Sequence, residues 1–197
     1  MEPNIEELRK NYESFPDEKL IRIATEEATG LRPEALELLR QIIKERGLSQ
    51  EITKSIDAQF QKIDDKTLLE YSDLLRRLPC PFCNSNIDKL NATMTGTVVS
   101  FIFMTSYRKE IKIGCPKCLD KQNNAAINKS ALLGWWGLPW GIVKTIQAFI
   151  FNAKMKKQNN LPEANDILKS FVLNRIGRIE ASRNNPAELS DMILYIR

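Results

Sequence analysis

Histidine is absent from this chain of 197 residues. Its absence excludes Ser-His-Asp, Cys-His and His-Glu-x-x-His catalytic arrangements, because each of them needs an imidazole. Glycine is scarce, with 8 residues, and none of them belongs to a Gly-rich phosphate-binding loop. The paired carboxylates Asp64-Asp65 and Glu26-Glu27 are expected on solvated helical faces or caps. The sequence therefore predicts a protein that is not an enzyme.

An uninterrupted apolar stretch of membrane-spanning length is also missing. Residues 130–151 are numerous enough to span a bilayer, but their glycines, Pro139, Lys144 and Gln147 interrupt the apolar character. Residues 1–7, MEPNIEE, are acidic where a secretory signal would be basic, so secretion is not expected. Internal repeats and low-complexity tracts are absent as well. A cytoplasmic location, peripheral to the inner membrane, is the expectation.

Cysteine occurs only four times, as the motifs Cys80-Pro81-Phe82-Cys83 and Cys115-Pro116-Lys117-Cys118. Two thiolates from each motif make the ligand set of a tetrahedral zinc site. The 31 residues between the motifs are enough to form β structure, so we predict a zinc ribbon with an enlarged hairpin. Four thiolates leave no open coordination position, which predicts a structural Zn²⁺ held by Cys80, Cys83, Cys115 and Cys118.

Redox chemistry is the alternative, because Cys-Pro-Phe-Cys is similar to the dithiol of glutaredoxin-like proteins. Such a dithiol follows a buried strand and opens a helix, whereas Cys80 follows a predicted helix. A redox interpretation would also leave the second motif without a role. Disulfide bonds are a further alternative, and zinc is favoured over both.

Charge is distributed unevenly along the chain. Residues 1–79 carry 13 basic and 17 acidic side chains, net −4, whereas residues 80–197 carry 16 basic and 8 acidic, net +8. This asymmetry directs the basic part toward an anionic partner, either lipid headgroups or nucleic acid. A merely solvated basic face is the alternative.

Apolar periodicity and helix-breaking residues predict an α+β fold with an N-terminal helical bundle, a central β zinc ribbon and C-terminal helices. The predicted helices run over residues 16–30, 33–47, 49–60 and 66–78. Predicted strands cover residues 97–105 and 111–113, with a turn at 106–109. The predicted domains are a helical bundle at 1–79, the zinc ribbon at 80–125, a Trp/Gly-rich amphipathic segment at 126–157 and helices at 158–197.

All three tryptophans fall within six residues, in the segment GWWGLPWG at 134–141. Pro139 is expected to begin an amphipathic helix, with Lys144 opposite its apolar face. Tryptophan at headgroup level and basic flanks favour a shallow membrane segment, and a buried helix packed on the ribbon or the bundle is the alternative. The candidate docking residues are Trp135, Trp136, Trp140, Ile142, Ile146, Phe149 and Ile150.

Residues 80–155 resemble a group of uncharacterised bacterial zinc-ribbon proteins with a membrane-associated Trp/Gly segment. The resemblance rests on the two Cys-Pro-x-Cys motifs, the apolar strand between them and GWWGLPWG. Residues 17–20 (DEKL) and 32–35 (RPEA), with the stop at Arg46-Gly47, resemble a small helical unit at the front of bacterial membrane-linked proteins. Both resemblances imply architecture and location, and neither implies an activity.

Three functional hypotheses follow. The first is a non-catalytic, zinc-stabilised adaptor that docks on a membrane surface or membrane protein and meets a protein partner through its acidic helices. The second is a nucleic-acid-binding zinc ribbon in which Tyr107 stacks on bases. Its candidate phosphate contacts are Arg108, Lys109, Lys112, Lys117 and Lys121. The third is a thiol oxidoreductase, and no small-molecule substrate is expected for the first two.

Overall fold

The computed structural model describes residues 5–102 and 104–196, so Met1–Asn4, Phe103 and Arg197 lie outside the described residues. Within the described residues the chain forms ten α-helices and one two-stranded antiparallel sheet, which confirms a mixed α+β fold. It divides into two compact units. One unit contains the residues up to Leu68 and Val172–Pro186, and the other contains Leu69–Phe171 and the residues from Ala187 onward.

The first unit is helical. Pro33 occupies the first turn of the helix Pro33–Glu45, and the side-chain oxygen of Ser49 accepts the Glu51 N–H at 3.1 Å at the start of the helix Gln50–Phe60, as predicted. After the helix Asp17–Arg22 the helical path continues as a π-helical turn, Ile23–Glu27, and a 3₁₀ turn, Ala28–Gly30. The helices up to the end of α5 are α1 Ile5–Ser14, α2 Asp17–Arg22, α3 Pro33–Glu45, α4 Gln50–Phe60 and α5 Asp65–Arg76.

The second unit is built on a long β-hairpin that the sequence predicted only in part. The strands pair from Asn91↔Gly114 to Phe101↔Met104, so the chain reverses between Phe101 and Met104. The turn predicted at 106–109 is therefore wrong. Both arms of the hairpin have high β propensity and the reversal contains no Gly, Asn, Asp or Pro, so no local signal marks it. Phe103, which the predicted strand included, lies outside the described residues.

The remaining elements are β1 Asn91–Phe101, β2 Met104–Gly114, α6 Pro116–Leu133, α7 Trp140–Lys156, α8 Asp166–Leu173, α9 Ile176–Ala181 and α10 Pro186–Leu194. Helix α6 was not predicted, and it occupies residues 116–125 of the segment assigned to the ribbon. Its run KQNNAAINKS shows little apolar periodicity, since the side chains that it buries are mostly small or polar. Helix α7 begins after Pro139, as expected.

Helices α6 and α7 form an antiparallel pair that packs along the outer edge of β1. The side chain of Asn152 accepts the Gly96 N–H at 3.1 Å and donates to the Gly96 carbonyl at 2.7 Å. Ser130 accepts the Val98 N–H at 3.0 Å. Asn123 and Asn165 donate to the carbonyls of Met94 and Ala92. These polar side chains satisfy backbone groups that an unpaired strand edge would otherwise bury without partners.

Replacing Asn152 with Ala is expected to lower the free energy of unfolding by about 3 kcal/mol. The reason is that the N–H and the carbonyl of Gly96 would both remain buried without a partner, at roughly 1–3 kcal/mol each. Urea denaturation measures this loss. Asn124→Ala is the matched control, because the exposed Asn124 side chain accepts only from Lys156. A loss no larger than in that control would contradict the assigned role of Asn152.

Candidate metal centre

The first cysteine motif forms a tight loop after α5. The Cys80 N–H donates to the Ser85 carbonyl at 2.9 Å, and the Asn84 N–H donates to the Cys80 carbonyl at 2.8 Å. Asn84 has a φ of 57°, a left-handed conformation that asparagine adopts at low cost. The loop therefore closes on itself and brings the sulfurs of Cys80 and Cys83 to one side.

The second motif joins the hairpin to α6. Cys115 directly follows β2 and is the N-cap residue of α6, with Pro116 in the first turn. The Cys115 N–H donates to the Cys80 sulfur at 3.3 Å. At Gly114 a Cβ atom would lie 2.9 Å from the Phe82 ring, so glycine allows this close approach of the two motifs without displacing that ring.

The four cysteines cluster as the spacing predicts. All four Sγ atoms lie within 4.8 Å of one another, and those of Cys83 and Cys115 are 3.8 Å apart. A tetrahedral zinc ion at 2.3 Å from each sulfur would hold them about 3.8 Å apart. The four thiols form no disulfide. Cys80, Cys115 and Cys118 are buried and Cys83 is exposed, so the cluster is positioned to hold a metal ion.

The thiol pKa values differ within the cluster. Burial raises the pKa of Cys118 to about 12, and the thiols of Cys115 and Cys83 add to this effect. Burial likewise raises the pKa of Cys115, although the backbone N–H of Cys118 opposes it. Burial acts in the same direction at Cys80, but backbone N–H groups of Cys115, Phe82 and Cys83 outweigh it and lower the pKa to about 7. Cys80 is therefore the thiol best prepared to ligate a metal at neutral pH.

These values bear on the redox alternative. The second motif follows a strand and begins a helix, which is the context expected of a redox dithiol. However, a nucleophilic cysteine at such a position has a lowered pKa. The raised pKa values of Cys115 and Cys118 are the opposite of this requirement. Cys80, whose pKa is lowered to about 7, meets the pKa requirement but follows helix α5 rather than a strand.

Metal uptake at pH 7 is expected to release at least the protons of Cys115 and Cys118, because thiolates are the ligating form and both pKa values are raised. The apparent metal affinity should then increase as the pH rises and decrease as it falls. Calorimetric titration of the metal-free protein with ZnCl₂, in buffers of different ionisation enthalpy, counts the released protons. Uptake that releases neither proton would contradict thiolate ligation.

The predicted docking residues begin at the hairpin tip, about 33 Å from the cysteines for 11-residue strands, and continue back along α7 toward the level of Gly96, which Asn152 contacts. Trp136, Trp140, Ile142, Ile146 and Ile150 are exposed. Trp135 and Phe149 meet edge to face, with ring centroids 6.1 Å apart, and Phe149 is half-buried. The apolar face of α7 is thus exposed in the described residues rather than packed into a core.

Helix α7 buries small and polar side chains instead. Its buried residues are Gly141, Thr145, Ala148 and Asn152. A Cβ atom at Gly134 would overlap the Thr145 hydroxyl, so α6 and α7 approach closely there. Close packing through small residues, with large aliphatic side chains outward, is typical of helices in an apolar environment.

The sequence did not indicate that the hairpin also contributes to the exposed apolar surface formed by α7 and the Trp-rich loop. Ile102 forms a parallel bridge with Gly137, which joins the hairpin tip to the loop between α6 and α7. Met104 and Leu138 are each 74% exposed, and Trp136 is 70% exposed. The apolar run 98–104, which lies within the predicted ribbon strand at 97–105, could have signalled this. We call the combined surface the apolar end, and it comprises Phe101, Ile102, Met104, Leu132, Trp136, Leu138 and Trp140.

The basic residues expected to contact nucleic acid do not form one surface. Arg108 and Lys109 are neighbours in β2 and therefore point to opposite faces of the hairpin. The Lys109 ammonium lies 4.7 Å from the Phe151 ring centroid and 5.6 Å from that of Tyr107. Lys112 pairs with Glu110 at 2.9 Å. Lys117 and Lys121 lie on α6 near the cysteine cluster.

No protein-family model, curated protein or solved structure matches this chain. Among the described residues, none of the helices combines the length and the apolar character that crossing a bilayer requires.

Proposed function

We propose that this protein is a non-catalytic, zinc-stabilised adaptor that docks on a membrane surface through its apolar end and meets a protein partner through its acidic helices. The exposure of the apolar end carries the proposal. Side chains from the hairpin tip, α6 and the Trp-rich loop are exposed there together. Soluble monomers seldom leave a contiguous apolar patch of this kind uncovered.

Zinc is the proposed metal, because four thiolates in a compact cluster favour Zn²⁺ over the oxygen-seeking Mg²⁺ and Ca²⁺. Such a site leaves no coordination position for a substrate. The metal would tie the loop that carries Cys80 and Cys83 to the junction of β2 and α6, and both β2 and α6 extend from that junction to the apolar end. Its role would be to hold the docking surface rigid. Reduced thiols also favour the cytoplasmic side of a membrane.

A lipid surface fits this end better than a protein groove. Tryptophan is enriched where hydrocarbon meets headgroups, and all three tryptophans lie in or beside the apolar end. Arg108 and Lys129 lie near this end, and Lys144 follows Trp140 by about one helical turn. Basic side chains in such positions complement the anionic lipids of a cytoplasmic leaflet.

Vesicle flotation with tryptophan fluorescence tests the proposal. We expect the full-length protein to float with phosphatidylcholine–phosphatidylglycerol vesicles and its emission to shift to shorter wavelength, since the exposed indoles would leave water. Raised salt should weaken binding without abolishing it, because apolar burial does not depend on ionic screening.

Absence of binding together with an unchanged spectrum would refute the membrane proposal. A steep salt dependence of binding to single-stranded or duplex oligonucleotides, without vesicle binding, would instead support the nucleic-acid alternative. Binding only to vesicles that carry a membrane protein would make a protein the docking partner.

A further inference from the structure

A basic pocket lies beside the apolar end, between one face of the hairpin and α6. Its volume is about 340 Å³. The cross-strand pairs Thr97↔Arg108 and Val99↔Ser106 share this face of the hairpin, and Lys129 reaches it from α6. The pocket is lined by Thr97, Val99, Ser106, Arg108, Glu110 and Lys129.

The charges in the pocket favour an anion. Neither Arg108 nor Lys129 forms an ion pair with a carboxylate of the described residues. The single acid, Glu110, is engaged by Lys112 at 2.9 Å, which lowers the pKa of its carboxyl, and the charges of Arg108 and Lys129 lower that pKa further. Three cations face this one carboxylate, so the pocket keeps a net positive charge. A guanidinium, an ammonium and the hydroxyls of Thr97 and Ser106 remain to recognise the oxygens of a phosphate.

The distance from the apolar end to the pocket matches the distance from immersed apolar side chains to the phosphate level of a bilayer. Arg108 lies four residues along β2 from Met104, or about 13 Å. Lys129 precedes Leu132 by about one helical turn, or roughly 5 Å. Interfacial segments bury their apolar face about 5–10 Å into the boundary between headgroups and acyl chains. Immersion of the apolar end to that depth would therefore bring the pocket to the phosphate level.

We infer that this pocket binds the phosphodiester headgroup of an anionic glycerophospholipid while the apolar end enters the bilayer. The inference rests on the proposed membrane docking and adds its lipid specificity. The apolar side chains supply attachment to any bilayer, and the pocket selects anionic lipid.

The test compares Arg108→Gln/Lys129→Gln with wild type on vesicles of phosphatidylcholine alone and of phosphatidylcholine with phosphatidylglycerol. The double variant should bind the anionic vesicles about 30-fold more weakly, since each basic side chain near such a surface contributes roughly a fivefold factor. Its binding to the neutral vesicles should equal that of wild type. Equal thermal midpoints establish that both proteins are folded.

The matched control is Lys121→Gln/Lys154→Gln, which removes the same charge from exposed positions of α6 and α7. We expect the affinity of this variant for anionic vesicles to fall by less than about threefold, because more distant charges are screened. An equal loss of affinity in both double variants would mean that the effect is only long-range attraction, and would overturn the inference that the pocket binds a headgroup. Wild type that binds neither kind of vesicle would refute the proposed docking itself, whereas wild-type-like behaviour of Arg108→Gln/Lys129→Gln would refute only the pocket.

Soluble glycerol 3-phosphate distinguishes a lipid headgroup from a free phosphate ester. Added to the anionic-vesicle assay at ionic strength matched with KCl, it should displace no more protein than KCl does. The bilayer presents its headgroups at high effective concentration to a protein already attached by its apolar end. Stronger displacement, absent in the Arg108→Gln/Lys129→Gln variant, would assign the pocket to a free phosphate ester and overturn the lipid assignment.

Discussion

Cys83→Ser is expected to abolish stoichiometric metal binding. The variant should therefore be less stable than metal-loaded wild type by several kcal/mol. Binding of a structural zinc ion contributes about 10–16 kcal/mol in small zinc domains, and removal of one of four thiolates forfeits a large part of it. Cys83 suits this test because its side chain is exposed while the other three are buried. Elemental analysis and thermal unfolding, each with and without EDTA, measure the two effects.

The effect of this substitution should depend on the metal. Once EDTA has removed the ion, wild type and Cys83→Ser should unfold at nearly the same temperature, because an exposed thiol contributes little by itself. Cys80→Ser is the comparison: its sulfur accepts the Cys115 N–H in a buried position, so it should destabilise the metal-free protein as well. A wild-type protein that is folded and metal-free as purified would contradict the metal centre.

The cysteine cluster could be predicted from the sequence because ligand chemistry is local. Two Cys-x-x-Cys motifs provide four thiolates whatever the intervening fold, and the prediction did not depend on the position of the hairpin turn. The helix starts at Pro33 and Ser49 were predictable for the same reason, since each depends on one residue and its nearest backbone groups.

The exposed apolar surface of α7 could be predicted only in part, because helix prediction assumes that large apolar side chains face inward. Helix α7 reverses this rule: Thr145 and Asn152 are fully buried while Ile146 and Ile150 are exposed. Helix α6 escaped prediction because the residues that it buries are mostly small or polar. Both helices pack on a strand edge whose backbone needs polar partners, and this requirement becomes visible only when the edge itself is known.

Substitutions at the hairpin tip are expected to have the second large effect, a loss of vesicle binding. Replacing Phe101 and Met104 together with Ser should weaken vesicle binding by at least about tenfold, because two exposed apolar side chains would no longer enter the bilayer. These residues lie at least 30 positions before the segment GWWGLPWG, so docking through that segment and α7 alone predicts no change in vesicle binding. Ile87→Ser is the control: Ile87 is 88% exposed but lies between the first cysteine motif and β1. Vesicle flotation gives both values.

Ile102 separates docking from folding. Its φ of 43° is costly for a β-branched residue, by roughly 1–2 kcal/mol, yet its side chain is 54% exposed and has no core to fill. Ile102→Gly should therefore raise the free energy of unfolding while it weakens vesicle binding. If Ile102→Gly raised both the free energy of unfolding and the affinity for vesicles, Ile102 would not be part of the docking surface. Higher stability together with weaker vesicle binding cannot be explained by a purely structural role, because a residue that serves only the fold would not destabilise the fold.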